Sequence, residues 1–202
     1  MPCSPWPTPN AQLIITGVAR NEALSRILLG STVDALARRA AVPLLVVRSR
    51  ARAPYPRVRV ASDLGEAARH TLRCALAFFP EAELTLFHAF DNPWPVLPGM
   101  DAAQARSTAQ AQSLAIAEEW LRACALPPEQ ARRVRIDLDW GDPAVLLHEH
   151  SNRRPEDLIV LGRRERGAIA SLLASSVGGR VLEMTEGDVL IVPSPAPAPA
   201  SA

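Results

Sequence analysis

The 202-residue sequence predicts an α/β fold: a doubly wound five-stranded parallel sheet, preceded by a partial β-α-β repeat. Three observations lead there. Between residues 58 and 193, short apolar runs alternate with longer stretches of helical spacing. The apolar runs are nearly continuous instead of alternating with polar residues, as expected for strands covered on both faces. Residues 13–48 also repeat the last strand-loop-helix-strand of the longer part: a forward shift of 145 positions, without a gap, places Leu13 on Leu158, Gly17 on Gly162, Leu28 on Leu173, Ser31 on Ser176, Leu45 on Leu190 and Val47 on Val192.

The elements follow in order. MPCSPWPTPN opens a proline-rich stretch, 1–12, that buries too little apolar surface to repay ordering and reads as a flexible tail. The partial repeat spans 13–48, and the proline-bearing segment 49–57 reads as a linker to the complete domain at 58–193. There VRVAS (58–62) is a strand, EAARHTLRCALAFF (66–79) a helix with Cys74 on its apolar side, and ELTLFHAF (83–90) a second strand. A long helix over 102–125 precedes a strand at 133–140. Gly141-Asp142-Pro143 is a helix start, with Asp142 as the cap and proline at the first helical position, where its missing N–H costs nothing. DLIVL (157–161) is the fourth strand, Ser176 caps a helix to about 186, and VLIVP (189–193) is the fifth, before a Pro/Ala tail at 194–202.

Composition removes several function classes. Net charge is +1, which gives no global case for nucleic acid or for an anionic membrane surface. All 22 basic residues are arginine, so no Walker-type phosphate loop, Schiff base or catalytic lysine is available. Three unclustered cysteines, Cys3, Cys74 and Cys124, point to reduced thiols. No hydrophobic run reaches the ~20 residues needed to span a bilayer, and the first residues lack the apolar middle of a signal peptide. The expected location is the cytoplasm.

WGDPAVLLHEHSNRRPEDLIVLGRRERG, followed by SSVGGRVLEMTEGDVLIVP, resembles the universal stress protein family, in which Gly-Asp-Pro opens a helix, Asp-Leu-Ile-Val makes the fourth strand and a glycine-rich loop leads to the last helix. The resemblance covers the complete domain and, as a remnant, residues 13–48. It implies an adenine-nucleotide α-hydrolase-like fold with flavodoxin-like layering, and a tandem arrangement whose first domain is truncated. ATP-binding members show Gly, two residues, Gly, nine residues, then Gly followed by Ser or Thr. Glycines allow positive φ and close approach of the backbone to phosphates, and the Ser/Thr stands at a helix N-terminus whose free amides favour an anion.

Set on that pattern, the complete domain offers Gly162, then Glu165 in the second glycine's place, Ser175 in the third's, and Ser176 before Val177. A carboxylate at Glu165 would repel a triphosphate at ~4 to 6 Å; Gly167 and the neighbouring arginines supply only partial substitutes. The acid that the resemblance places near adenine and ribose is Asp63, beside Ala61, with Ala89 at the end of the second strand. The remnant keeps Gly17, Arg20, Gly30 and Ser31 but has no first strand to carry such an acid. For the turn at 162–176 and for Asp63, phosphate binding and plain turn chemistry both remain open.

Other candidates read as structural. His88 lies inside a strand as a partly buried, hydrogen-bonded residue. His148 and His150 flank Glu149, but residues two apart on a helix face different ways, which disfavours a metal site. The run RRER (163–166) reads as a solvated loop. A pyrophosphatase-type ATP enzyme would need a Ser-Gly-Gly-x-Asp-Ser loop after the first strand, where this chain has Ser62-Asp63-Leu64-Gly65-Glu66. The expectation is therefore a non-catalytic, regulatory stress protein with a degenerate nucleotide site and no required cofactor; ATP binding through Asp63 and Ser175/Ser176 is the alternative. The resemblance implies pairing through last strands, either between copies or inside the chain, with 44–47 against 189–192 capping a sheet edge. Strand 13–16 then remains an edge, predicting self-association or a chain lacking its first ~100 residues.

Overall fold

The computed structural model describes residues 11–18, 31–48, 54–90, 101–155, 157–163 and 177–194. The expected tails, apart from residues 11, 12 and 194, and most of the linker lie outside them. One sheet organises the chain. The N-terminal unit supplies β1 (Ile14–Gly17), α1 (Ser31–Arg39) and β2 (Leu44–Val47). Then come β3 (Arg57–Ala61), α2 (Glu66–Phe78), β4 (Glu83–Phe90), α3 (Ala102–Ala123), α4 (Pro128–Arg133), β5 (Val134–Trp140), α5 (Pro143–Arg153), β6 (Leu158–Gly162), α6 (Val177–Met184) and β7 (Val189–Val192).

The strand order is β1-β2-β7-β6-β3-β4-β5. Its last five members are the doubly wound arrangement anticipated from the sequence, all parallel. The sheet does not stop at five strands: β2 pairs antiparallel with β7, Leu44 opposite Ile191 and Leu45 opposite Leu190, and β1 pairs parallel with β2. The N-terminal unit thus extends the same sheet because β7 has a free edge of apolar backbone that β2 matches.

Strand periodicity of two divides the apolar side chains between two cores. Leu45, Val58, Val60, Leu84, Leu86, Leu158, Val160, Leu190 and Val192 pack with α2 and α3 on one face. Leu44, Val46, Ile159, Leu161, Val189 and Ile191 pack with α1, α5 and α6 on the other. β6 and β7 serve both faces, which is why their sequences read as unbroken hydrophobic runs. Both cores cross the join between β2 and β7. At about 25 cal/mol per Å², each fully buried leucine such as Leu44 or Leu158 contributes about 2 kcal/mol.

Capping follows the sequence. Asp142 Oδ1 accepts from Ala144 N and Val145 N at 3.0 Å, and Gly141 has φ +132°. Arg180 donates to Asp142 Oδ2 at 2.7 Å, tying α6 to the start of α5 and holding the Asp142 carboxyl below its usual range. Asp101 likewise caps α3.

One boundary shifts and two expectations need correction. The segment before β5 is helical: Pro128 at the first position and Glu129 in the first turn start α4, so the strand begins at Val134. Cys74 packs against the core but is only partly buried, and among the described residues the fully buried thiol is Cys124. Arg163, the first residue of the supposed solvated loop, is half-buried: its Nη1 donates to Ala40 O at 2.8 Å, its backbone N donates to Val192 O, and its carbonyl accepts from Ser194 Oγ. It caps carbonyls at the end of α1. Residues 164–166 lie outside the described residues.

Candidate functional site

A doubly wound sheet binds ligands where neighbouring strands send their chains to opposite faces. Here that point lies between β3 and β6, because β3 continues into α2 on one face and β6 leads toward α6 on the other. Ala61, partnered by Leu161, and Gly162, partnered by Val192, end these strands. Ala89 lies two residues past Phe87, the partner of Ala61 on β4. Asp63 follows β3 and is exposed. The fold therefore gathers Ala61, Asp63, Ala89 and Gly162 along one carboxyl edge. Val177 opens α6 and is exposed, whereas Glu165, Gly167, Ser175 and Ser176 lie outside the described residues.

Two of these residues have local structural duties. A Cβ built on Gly162 would stand 2.5 Å from Thr71 Oγ1 on α2, a distance no Cβ tolerates. Thr71 is buried and donates to Ala67 O, so its position is fixed by its own helix. Glycine at 162 is thus required by helix-on-strand packing alone. Asp63 shapes a turn: its Oδ1 accepts from Gly65 N at 2.8 Å, while Ser62 Oγ accepts from Leu64 N at 3.0 Å. Leu64 between them is held at φ +58°, a left-handed conformation costly for a side chain with a Cβ.

Neighbours lock this turn from outside. Trp120 Nε1 on α3 donates to Gly65 O at 3.2 Å, and His88 Nδ1 lies 2.9 Å from Ser62 O, which assigns the proton to Nδ1. Thr71 and Trp120 escaped the sequence reading because their roles depend on contacts across elements; the helical spacing placed Thr71 only as one more position on α2.

In the N-terminal unit, Gly17 ends β1 opposite Val47, and Ser31 begins α1. Among the described residues, a Cβ on Gly17 would meet only Val47 O, at 4.0 Å, against the 2.5 Å contact with Thr71 Oγ1 at Gly162. Arg20 and Gly30 lie outside the described residues. The paired histidines of α5 separate as their spacing requires: His148 Nε2 meets Asn152 Nδ2, and His150 Nε2 meets Asp157 Oδ2 at 3.0 Å. Burial and the Arg59 guanidinium outweigh Asp157 and push the His150 imidazole below its ordinary pKa, making it a neutral hydrogen-bond donor and not half of an ion pair.

Comparison with known proteins agrees with this geometry. A family model described as "Universal stress protein family" matches residues 8–48 and 54–193. The stress response protein NhaX of Bacillus subtilis is 38% identical over 64 residues, 32% of this chain and 39% of that protein. Among solved structures, a putative universal stress protein from Pseudomonas aeruginosa superposes with a TM-score of 0.63 at 19% identity, covering 91% of this chain and 63% of the other. One from Archaeoglobus fulgidus gives 0.59 at 20% identity, over 92% and 62%. The Lactobacillus plantarum universal stress protein gives 0.52 at 20% identity, over 69% of this chain and 99% of its own. The chain thus spans less than two thirds of the longer relatives.

Proposed function

The chain belongs to the universal stress protein family, and on that premise we propose that it is a non-catalytic regulatory module of the stress response whose nucleotide site is degenerate, binding ATP weakly or not at all. One observation carries this reading. Gly162, the only one of the three family glycines that the complete domain keeps, is accounted for by its contact with Thr71, so its presence is no sign of a phosphate cradle. The sequence adds that Glu165 and Ser175 replace the other two glycines. Asp63 is engaged by its own turn through Gly65 N.

The second reading, ATP binding through Asp63 with Ser175 and Ser176, draws on one fact: Asp63 is exposed at the crevice where such folds take ligands. A fluorescent ATP analogue titrated into the full chain and into Asp63→Asn separates the two. The degenerate site gives no saturation in the micromolar range with either protein. Micromolar saturation abolished by Asp63→Asn would establish the second reading, and ATP hydrolysis above a heat-inactivated control would refute the non-catalytic assignment.

The same proposal treats residues 13–48 as a partial copy docked on a complete domain at 58–193. The Lactobacillus plantarum universal stress protein matches 69% of this chain over 99% of its own length, the coverage expected of one complete unit beside a partial one. Docking of β2 on β7 makes an intrachain counterpart of pairing through last strands, with further self-association left to β1. We place the protein in the cytoplasm; among the described residues no helix is long and apolar enough to cross a membrane.

A further inference from the structure

The opposite edge of the sheet holds a second concentration of charge. A cavity of about 450 Å³ lies at the amino ends of β3, β4 and β5, under the C-terminal turn of α5. Arg57 and Arg59 reach it from β3, Arg135 from β5, and Arg153 and Arg154 from the end of α5. Strand register explains the convergence: Arg59, Thr85 and Arg135 are direct partners across three adjacent strands and so share one face. From Arg57 to Ala61 the strand rises about 13 Å, which separates this cavity from the edge carrying Asp63.

Its floor is built and its rim is open. Asp157, 5% exposed, accepts from Arg57 Nε at 2.6 Å and from His150 Nε2. Arg59, 13% exposed, donates to Asp137 Oδ2 at 2.5 Å and lies over the Phe87 ring, yet its Nε is buried without a hydrogen-bond partner. Arg135, Arg153 and Arg154 at the rim are exposed, and among the described residues none of them has an ion-pair partner. Glu156 lies outside the described residues. Among the described residues, five guanidiniums stand against the carboxylates Glu83 and Asp157 of the lining and Asp137 on Arg59, an excess of two positive charges. The end of α5 offsets only about half a charge.

An excess of two positive charges over a cavity large enough for a small molecule matches a dianion, and guanidinium forks match phosphate oxygens in particular. We propose that this cavity binds the phosphate dianion, free or as the ester of a small metabolite, with Arg59 at the floor and Arg135 and Arg153 closing on it from the rim. The site is separate from the carboxyl-edge crevice and does not depend on what that crevice binds.

Calorimetric titration of the full chain in low-salt buffer, with inorganic phosphate and with glycerol 3-phosphate, tests this. Saturable binding at one site per chain is expected; a tighter fit of the ester identifies a phosphorylated metabolite as the occupant, and equal affinities identify free phosphate. The exposed pair Arg135→Gln/Arg153→Gln weakens binding by about tenfold for each guanidinium removed, with unchanged thermal melting. The charge-matched pair Arg122→Gln/Arg132→Gln, on α3 and α4, leaves it intact. Absence of saturable binding by both probes overturns the proposal, as does equal weakening by the two pairs.

Discussion

Thr71 and Gly162 meet where α2 crosses the end of β6, and that contact decides what the glycine is for. Gly162→Ala forces a Cβ against Thr71 Oγ1 and is expected to cost about 1–3 kcal/mol in urea unfolding. Combined with Thr71→Ala, which removes the opposing atom, the loss shrinks below the sum of the single changes. His150 gives a second test at this scale. Its folded pKa lies below the ordinary 6.5, so as pH falls the unfolded chain takes up the proton first; the contribution to stability is present above 6.5 and is lost as pH drops through the folded value. Between about pH 7.5 and pH 5, His150→Gln is expected to flatten the fall of the urea midpoint. Sequence placed Gly162 and Asp63 at the ends of two apolar strands, and the family resemblance made them candidates. It left Thr71, Trp120 and the left-handed Leu64 invisible, because a contact between elements far apart in the chain leaves no local signature.

Among the elements, the join between β2 and β7 does the most. Arg48 and Asp188 flank it: Arg48 N donates to Asp188 Oδ1 at 2.7 Å, Tyr55 OH donates to Asp188 Oδ2 at 2.6 Å, and the buried Arg48 guanidinium donates to Leu182 O. Burial and this bond to Asp188 push the Tyr55 hydroxyl well above the usual phenol range. Arg163 adds a clasp from the far side of β7 to the end of α1. Arg163→Ala strips Ala40 O of this donor, and a loss of about 1–2 kcal/mol is expected. Hydrogen exchange should then quicken in α1 while β3 and β6 keep their protection. Strands and most helices were legible from hydrophobic period and from the Gly-Asp-Pro cap. α4 was missed because its six residues carry no apolar stripe, and Arg163 was misread because a charged loop residue looks solvated until the partner carbonyls are known.

At the scale of the molecule, the seven strands of the described residues form one sheet with a core on each face, and both cores run through the β2–β7 join. At one end stands β1, bonded among the described residues only to β2 and presenting Ile15 at 65% exposure, without the charge or proline that usually blunts an edge. Self-association through β1 is expected, and Ile15→Lys should shift sedimentation toward the monomer without lowering the melting temperature. The continuity of the sheet was legible only in part: the repeat at 145 positions announced a second β-α-β unit and the apolar strands suggested a pairing, but the shared cores are a property of the assembled sheet. The central claim is that the carboxyl-edge crevice no longer wraps a triphosphate. It is tested most directly by denaturing the freshly purified full chain and quantifying released adenine nucleotide by chromatography. The account predicts far less than one nucleotide per chain; a stoichiometric yield of ATP would contradict it.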